Sequence, residues 1–152
     1  QEEVAAFGWV EELHSNNSVR LWREVRDLDL LASDGLLWRL SVAPAAGASV
    51  VSLVRDRLPG RIVNVLYDWQ GGLIWLRLDG STDPAADVVR GVIEETGGHS
   101  TLVRAPEDVR RSIPVFQPQK AALAALSRRL KDQLDPRGLF NPGRLMPQLI
   151  KD

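Results

Sequence analysis

The alternation of apolar and polar residues is cleanest at Trp38-Arg39-Leu40-Ser41-Val42, which puts Trp38, Leu40 and Val42 on one face and Arg39 and Ser41 on the other. This predicts a first strand over 36–42. A helical stripe follows at Val50, Val51, Val54 and Leu58 and stops at Pro59-Gly60, predicting a helix over about 47–58. Residues 61–68 and 72–78 are rich in β-formers on either side of Trp69-Gln70-Gly71, the pattern of a hairpin. Thr82 and Asp83 can cap a helix, Pro84 suits its first position, and Ala85, Val88, Val89, Val92 and Ile93 form its buried stripe. Gly97-Gly98 stops that helix, and residues 99–104 read as a fourth strand.

The order over 36–104 is therefore βαββαβ. A central hairpin with two crossovers predicts an α+β, ferredoxin-like fold: a four-stranded antiparallel sheet with its helices on one face. Three segments result: 1–35 as an N-terminal connecting segment and helix, 36–104 as the core, and 105–152 as a C-terminal helix and tail. Within the first, Phe7, Trp9 and Leu13 are isolated anchors. Asn16, Asn17 and Ser18 can cap a helix carrying Val19, Trp22 and Val25 to about residue 31, with Ser33-Asp34-Gly35 ending it. In the last, residues 106–111 make one helical turn, and 119–134 form a helix with Leu123, Leu126, Leu130 and Leu134 on one face.

Composition narrows the chemistry. With 152 residues, 44% of them hydrophobic, the chain can bury a single core. Its 19 basic and 20 acidic residues leave a net charge of −1, which gives no field to attract nucleic acid. The absence of cysteine excludes disulfides, thiolate metal sites and thiol nucleophiles, and only two histidines, His14 and His99, are available as metal ligands. No metal site is expected. No uncharged run reaches the ~18 residues of a membrane span and no signal peptide opens the chain, so the expected setting is cytoplasmic. Gln1 in place of Met points to a processed product or an excised piece.

In a ferredoxin-like sheet the helices cover one face and leave the other for a ligand, a partner or another domain. Alternation sends Arg39, Ser41, Leu73, Trp75 and Arg77 to that second face, with residues of the first and third strands side by side. Two guanidiniums beside an indole suit a planar carboxylate, because Arg offers a bidentate fork. The plainer alternative is that the arginines pair with surface acids and Trp75 packs under a loop. His99, at a strand start, reads either as a base or proton shuttle or as a hydrogen-bonded structural residue. The pairs Glu2-Glu3, Glu11-Glu12 and Glu94-Glu95 are solvated charges. No Walker loop, Rossmann fingerprint, nucleophile elbow or metalloprotease helix is present, and Gly97-Gly98-His99-Ser100 follows a helix, the wrong end of a dipole for a phosphate.

The tail Asp135-Pro136-Arg137-Gly138-Leu139-Phe140-Asn141-Pro142-Gly143-Arg144 resembles the C-terminal signature of FAD-linked oxidases of the vanillyl-alcohol oxidase type. Three further runs resemble the cap domain of the flavin-binding subunits of bacterial glycolate oxidases: Leu37-Trp38-Arg39-Leu40-Ser41, Asp68-Trp69-Gln70-Gly71-Gly72 with Trp75-Leu76, and Gly97 to Arg104. The resemblance covers about 37–147, and the family's N-terminal FAD-binding domain is absent from this sequence. It implies the cap, or substrate, portion of an FAD-dependent oxidoreductase acting on small 2-hydroxy acids. FAD would be held mostly by the missing domain, and that domain and the other oxidase subunits would be the partners. By the same resemblance Arg39, Trp75 and Arg77 bind substrate, His99 is the catalytic candidate, and Asn141 approaches the cofactor. Asn141 reads equally as a turn-forming residue before Pro142. The alternative from a different class is a freestanding ferredoxin-like module that binds a metabolite or dimerises.

Overall fold

Among the described residues Trp38 is the largest fully buried side chain, at the centre of β1 (Leu36–Ser41). The computed structural model describes residues 8, 11–32, 35–80 and 82–143. Leu36 and Leu40 flank Trp38 on the same face, as the period of two requires, and the indole Nε1–H donates to the Pro84 carbonyl at 2.9 Å. The chain divides into two compact units, residues 1–34 and 35–152.

In the second unit β1 is followed by α2 (Gly47–Arg57), β2 (Ile62–Asp68), β3 (Leu73–Leu78), α3 (Ala86–Thr96) and β4 (His99–Arg104), then α4 (Glu107–Ser112) and α5 (Ala121–Leu134). The strands are ordered β2-β3-β1-β4, all neighbours antiparallel, which is the ferredoxin-like arrangement. Val50, Val51 and Val54 of α2 and Val89, Val92 and Ile93 of α3 join the inward residues of β1, β3 and β4 in one core. Gly47 opens α2 against the hairpin turn: a Cβ there would stand 2.2 Å from the Gly71 carbonyl oxygen.

Three boundaries differ from the sequence reading. The first helix, α1 (Ser15–Asp27), has no capping side chain, and its periodicity does not carry to residue 31. Leu28 closes it in the left-handed region at φ 57°, and Asp29–Leu31 form a separate 3-10 turn. Its expected stop at Ser33-Asp34 lies outside the described residues, as do Phe7 and Trp9. Pro84 precedes α3 instead of opening it: Asp83 accepts from the Ala85 amide at 2.9 Å and from Arg61 Nη1 at 3.1 Å, and Ala85 turns through φ 51° before the helix starts. Finally, α5 starts at Ala121 because the chain before it is extended, with Lys120 at ψ 145°.

That extended stretch is an element the periodicity did not reveal. Residues 115–117 pair with β4 as a short edge strand: the Leu102 amide donates to the Val115 carbonyl at 2.8 Å, and the Gln117 amide to the Ser100 carbonyl at 2.9 Å. Buried Ser100 adds a bond from its hydroxyl to Gln117 Oε1 at 2.6 Å. Pro114 and Pro118 bracket the strap, the kind of position where an edge strand tolerates proline.

Candidate functional site

The register of the sheet arranges the second face in rows. Paired residues on neighbouring antiparallel strands project to the same side. The middle row therefore runs Leu66, Trp75, Arg39, Thr101, with Phe116 of the strap bridged to Thr101 beyond the edge. A second row contains Asn64, Arg77 and Leu37, and a third Asp68, Leu73, Ser41 and His99. Arg39, Trp75, Arg77 and His99 thus share one face. It is only partly open, since Leu37 and Leu73 are buried, Arg39, Trp75, Arg77 and Thr101 are half-buried, and His99 is exposed.

Arg39 lies over the ring of Trp75, its guanidinium carbon 5.9 Å from the centroid. It makes no hydrogen bond or ion pair among the described residues, so a half-buried fork of donors remains available at the centre of the sheet. Arg77 is different. Its Nε and Nη2 both donate to Asn64 Oδ1, at 3.2 and 2.7 Å, which ties the guanidinium down along β2. His99 pairs with Ser41, and that makes it a diagonal neighbour of Arg39, about 7–8 Å away at the Cα level.

A groove of about 880 Å³ lies at the β4 edge of the sheet, where Ile93 and Glu94 of α3, His99, Ser100 and Thr101 of β4, and Phe116 are among its lining. The strap that carries Phe116 is held from beneath by Arg90 of α3. Its Nη2 donates to the Pro114 carbonyl and, at 3.4 Å, to the Phe116 carbonyl, while the guanidinium stacks on Trp38 at 5.5 Å. Burial pushes the Arg90 pKa down, with the nearby Asp87 charge acting in the opposite sense. Its Nε is buried without a hydrogen-bond partner among the described residues. Arg90 and Phe116 are site-shaping residues that the sequence reading missed, and the bracketing prolines were the only local signal.

Asn141 sits apart from this face by sequence and stands in an exposed turn at φ 46°, a conformation Asn tolerates. The tail before it is organised by Asp135. This nearly buried carboxylate pairs with Lys131 and accepts from the amides of Leu139 at 2.8 Å and Phe140 at 2.9 Å, while Lys131 Nζ also reaches the Phe140 carbonyl at 2.6 Å. Lys131 first, and the two amides after it, hold the Asp135 pKa at about 2. Leu139 and Phe140 themselves are exposed, as are Leu123, Leu126, Leu130 and Leu134 along α5.

Gly98 has a structural reason to be glycine, independent of any phosphate: at φ 119° a Cβ would stand 2.2 Å from the Ser41 carbonyl oxygen. Of the Gly97–Arg104 run, its start therefore serves strand packing and its outward residues the second face. The same division holds for Leu37–Ser41.

The chain is similar to glycolate oxidase subunit GlcE of Escherichia coli (strain K12). The two are 33% identical over 132 residues, which is 86% of this chain and 32% of GlcE. The chain thus spans about a third of the length of GlcE. No family model matches the chain, and no solved structure matches it. Among the described residues no helix is long and apolar enough to cross a membrane, and no group of His, Asp or Glu could hold a metal ion.

Proposed function

We propose that this chain is the substrate-covering cap portion of an FAD-dependent 2-hydroxy-acid oxidoreductase of the glycolate oxidase type. The observation that carries the reading is Arg39. An arginine half-buried at the centre of a sheet, stacked on Trp75 and without a carboxylate partner, is a receptor for an anionic ligand. Its occupant is the carboxylate of a small acid, and the similarity to GlcE supplies the 2-hydroxy-acid class.

The described residues do not fit a whole flavin dinucleotide. They offer no pyrophosphate-binding loop, since Gly97-Gly98 follows the C-terminus of α3 and Gly98 packs against β1. The flavin therefore belongs to other sequence of the enzyme, and its hydride chemistry with it. What this chain contributes is positioning. Arg39 grips the carboxylate, Trp75 excludes water from one side, tethered Arg77 adds positive potential, and His99, diagonal to Arg39, takes the hydroxyl proton. The exposed Leu139 and Phe140, with Asn141 after them, face the flavin-binding part, and cytoplasmic oxidase subunits complete the assembly.

Expression of the longest open reading frame that contains this chain tests the proposal. The purified product should carry bound FAD and reduce an artificial acceptor with a 2-hydroxy acid, while residues 1–152 alone do neither. A full-length product without flavin, or a stable flavin-free dimer that binds a metabolite, would establish the freestanding module instead.

A further inference from the structure

Thr101 is the cross-strand neighbour of Arg39 on β4, on the side of β1 away from Trp75. Side chains paired in this way project to the same face and stand about 4.5–5.5 Å apart at Cβ. Thr101 is half-buried, and its hydroxyl makes no hydrogen bond among the described residues. The neighbouring hydroxyls are placed differently. Ser100 is buried on the opposite face, where it bonds Gln117 Oε1 at 2.6 Å, and Ser41 belongs to the next row, paired with His99.

On its far side Thr101 is bridged to Phe116. The amides of Leu102 and Gln117 bond the carbonyls of Val115 and Ser100 on either side of this bridge, which makes it a non-hydrogen-bonded pair, the kind whose side chains approach most closely. A guanidinium and a hydroxyl, both with open hydrogen-bonding capacity, thus stand one strand apart in a row that has an aromatic residue at either side. Hydrogen bonds of about 2.8 Å to each of them leave room for only a few atoms between. An acid with its carboxylate and hydroxyl on adjacent carbons meets that requirement.

Resting on the carboxylate reading of Arg39, we infer that Thr101 is the specificity-determining residue that recognises the 2-hydroxyl of the acid. Arg39 holds the carboxylate, and the Thr101 Oγ1–H donates to the hydroxyl oxygen on the next carbon. The proton of the substrate hydroxyl stays free for His99, two residues before Thr101 on the same face of β4. Thr101 transfers no proton. It selects 2-hydroxy acids over acids of the same size without the hydroxyl, and it orients the C2–O bond.

Titration of the ¹⁵N-labelled chain with glycolate and with acetate at neutral pH, followed by NMR, tests this. The two ligands are both ionised and differ by the hydroxyl alone. Glycolate should bind about threefold to tenfold more tightly, the worth of one hydrogen bond, and should shift the Thr101 amide. Thr101→Val, which keeps the β-branched shape, should bring glycolate down to the acetate level and leave acetate unchanged. Thr101→Ser should restore the preference, and Ser41→Ala, in the next row, should keep it. Arg39→Ala should weaken both acids. If the preference survives Thr101→Val, if Thr101→Ser fails to restore it, or if the parent chain binds both acids equally through Arg39, the Thr101 assignment is overturned and the carboxylate receptor stands. If neither acid binds, or if both are indifferent to Arg39→Ala, the underlying reading is overturned and the inference with it.

Discussion

Arg39 and Trp75 face each other across the β1–β3 pair, with the guanidinium carbon 5.9 Å from the indole centroid. Their stacking keeps the arginine extended over the sheet while leaving its donors open. The contact itself is worth about 0.5–1 kcal/mol at a site of this kind.

Arg39→Ala should therefore leave stability within about 1 kcal/mol of the parent while weakening carboxylate binding severely. Arg39→Lys keeps the charge but loses the planar fork and the stacking, and should restore only part of the affinity. Thermal unfolding and acid titration, run on the same samples, separate the two effects. A large loss of stability with unchanged binding would make Arg39 a structural residue.

Arg90 should govern the strap. Arg90→Met keeps an apolar stem against Trp38 but removes the donors to the Pro114 and Phe116 carbonyls. The loss should be about 1–3 kcal/mol, the cost of leaving such acceptors unpaired. Hydrogen exchange should speed up selectively at the amides of Leu102 and Gln117, which carry the pairing of residues 115–117. Unchanged exchange there would show that the backbone pairing holds the strap unaided.

Asp135 predicts a pH-dependent tail. Its folded pKa of about 2 lies below the ordinary carboxyl value of about 3.9. The ionised form is therefore favoured by folding, and its contribution is complete above about pH 4 and lost as the pH falls toward 2. A carboxyl ¹³C titration should place the Asp135 midpoint near 2. Asp135→Asn should loosen the amides of Leu139 and Phe140 at neutral pH; a wild-type midpoint near an ordinary value would show that the turn closes without the carboxylate.

Gly98→Ala should be strongly destabilising. The added Cβ would meet the Ser41 carbonyl oxygen at 2.2 Å, and φ 119° is strained for any L side chain. A cost of at least about 1–3 kcal/mol follows, and Tm should fall by several degrees. Gly97→Ala at φ 83° meets nothing within 4 Å, so it should suffer only the conformational part. Equal losses for the two variants would contradict the packing explanation.

The sequence by itself determined the sheet and its two faces. Period-two alternation at Trp38–Val42 and at Ile74–Leu78, with helical stripes between, leaves few ways to bury Trp38, Leu76 and Val89 together. It also sent Arg39, Trp75 and Arg77 to the same side. Local pattern carries that much because alternation is a property of the strand alone. Only the tertiary structure decided which arginine is available: Arg77 is tied by Asn64, thirteen residues earlier in the chain, whereas Arg39 has no such partner. It also revealed residues 115–117 as a fifth edge segment, clamped by Arg90 and carrying Phe116 into the row of Arg39. These relationships depend on pairings between distant segments, which no periodicity within either segment encodes.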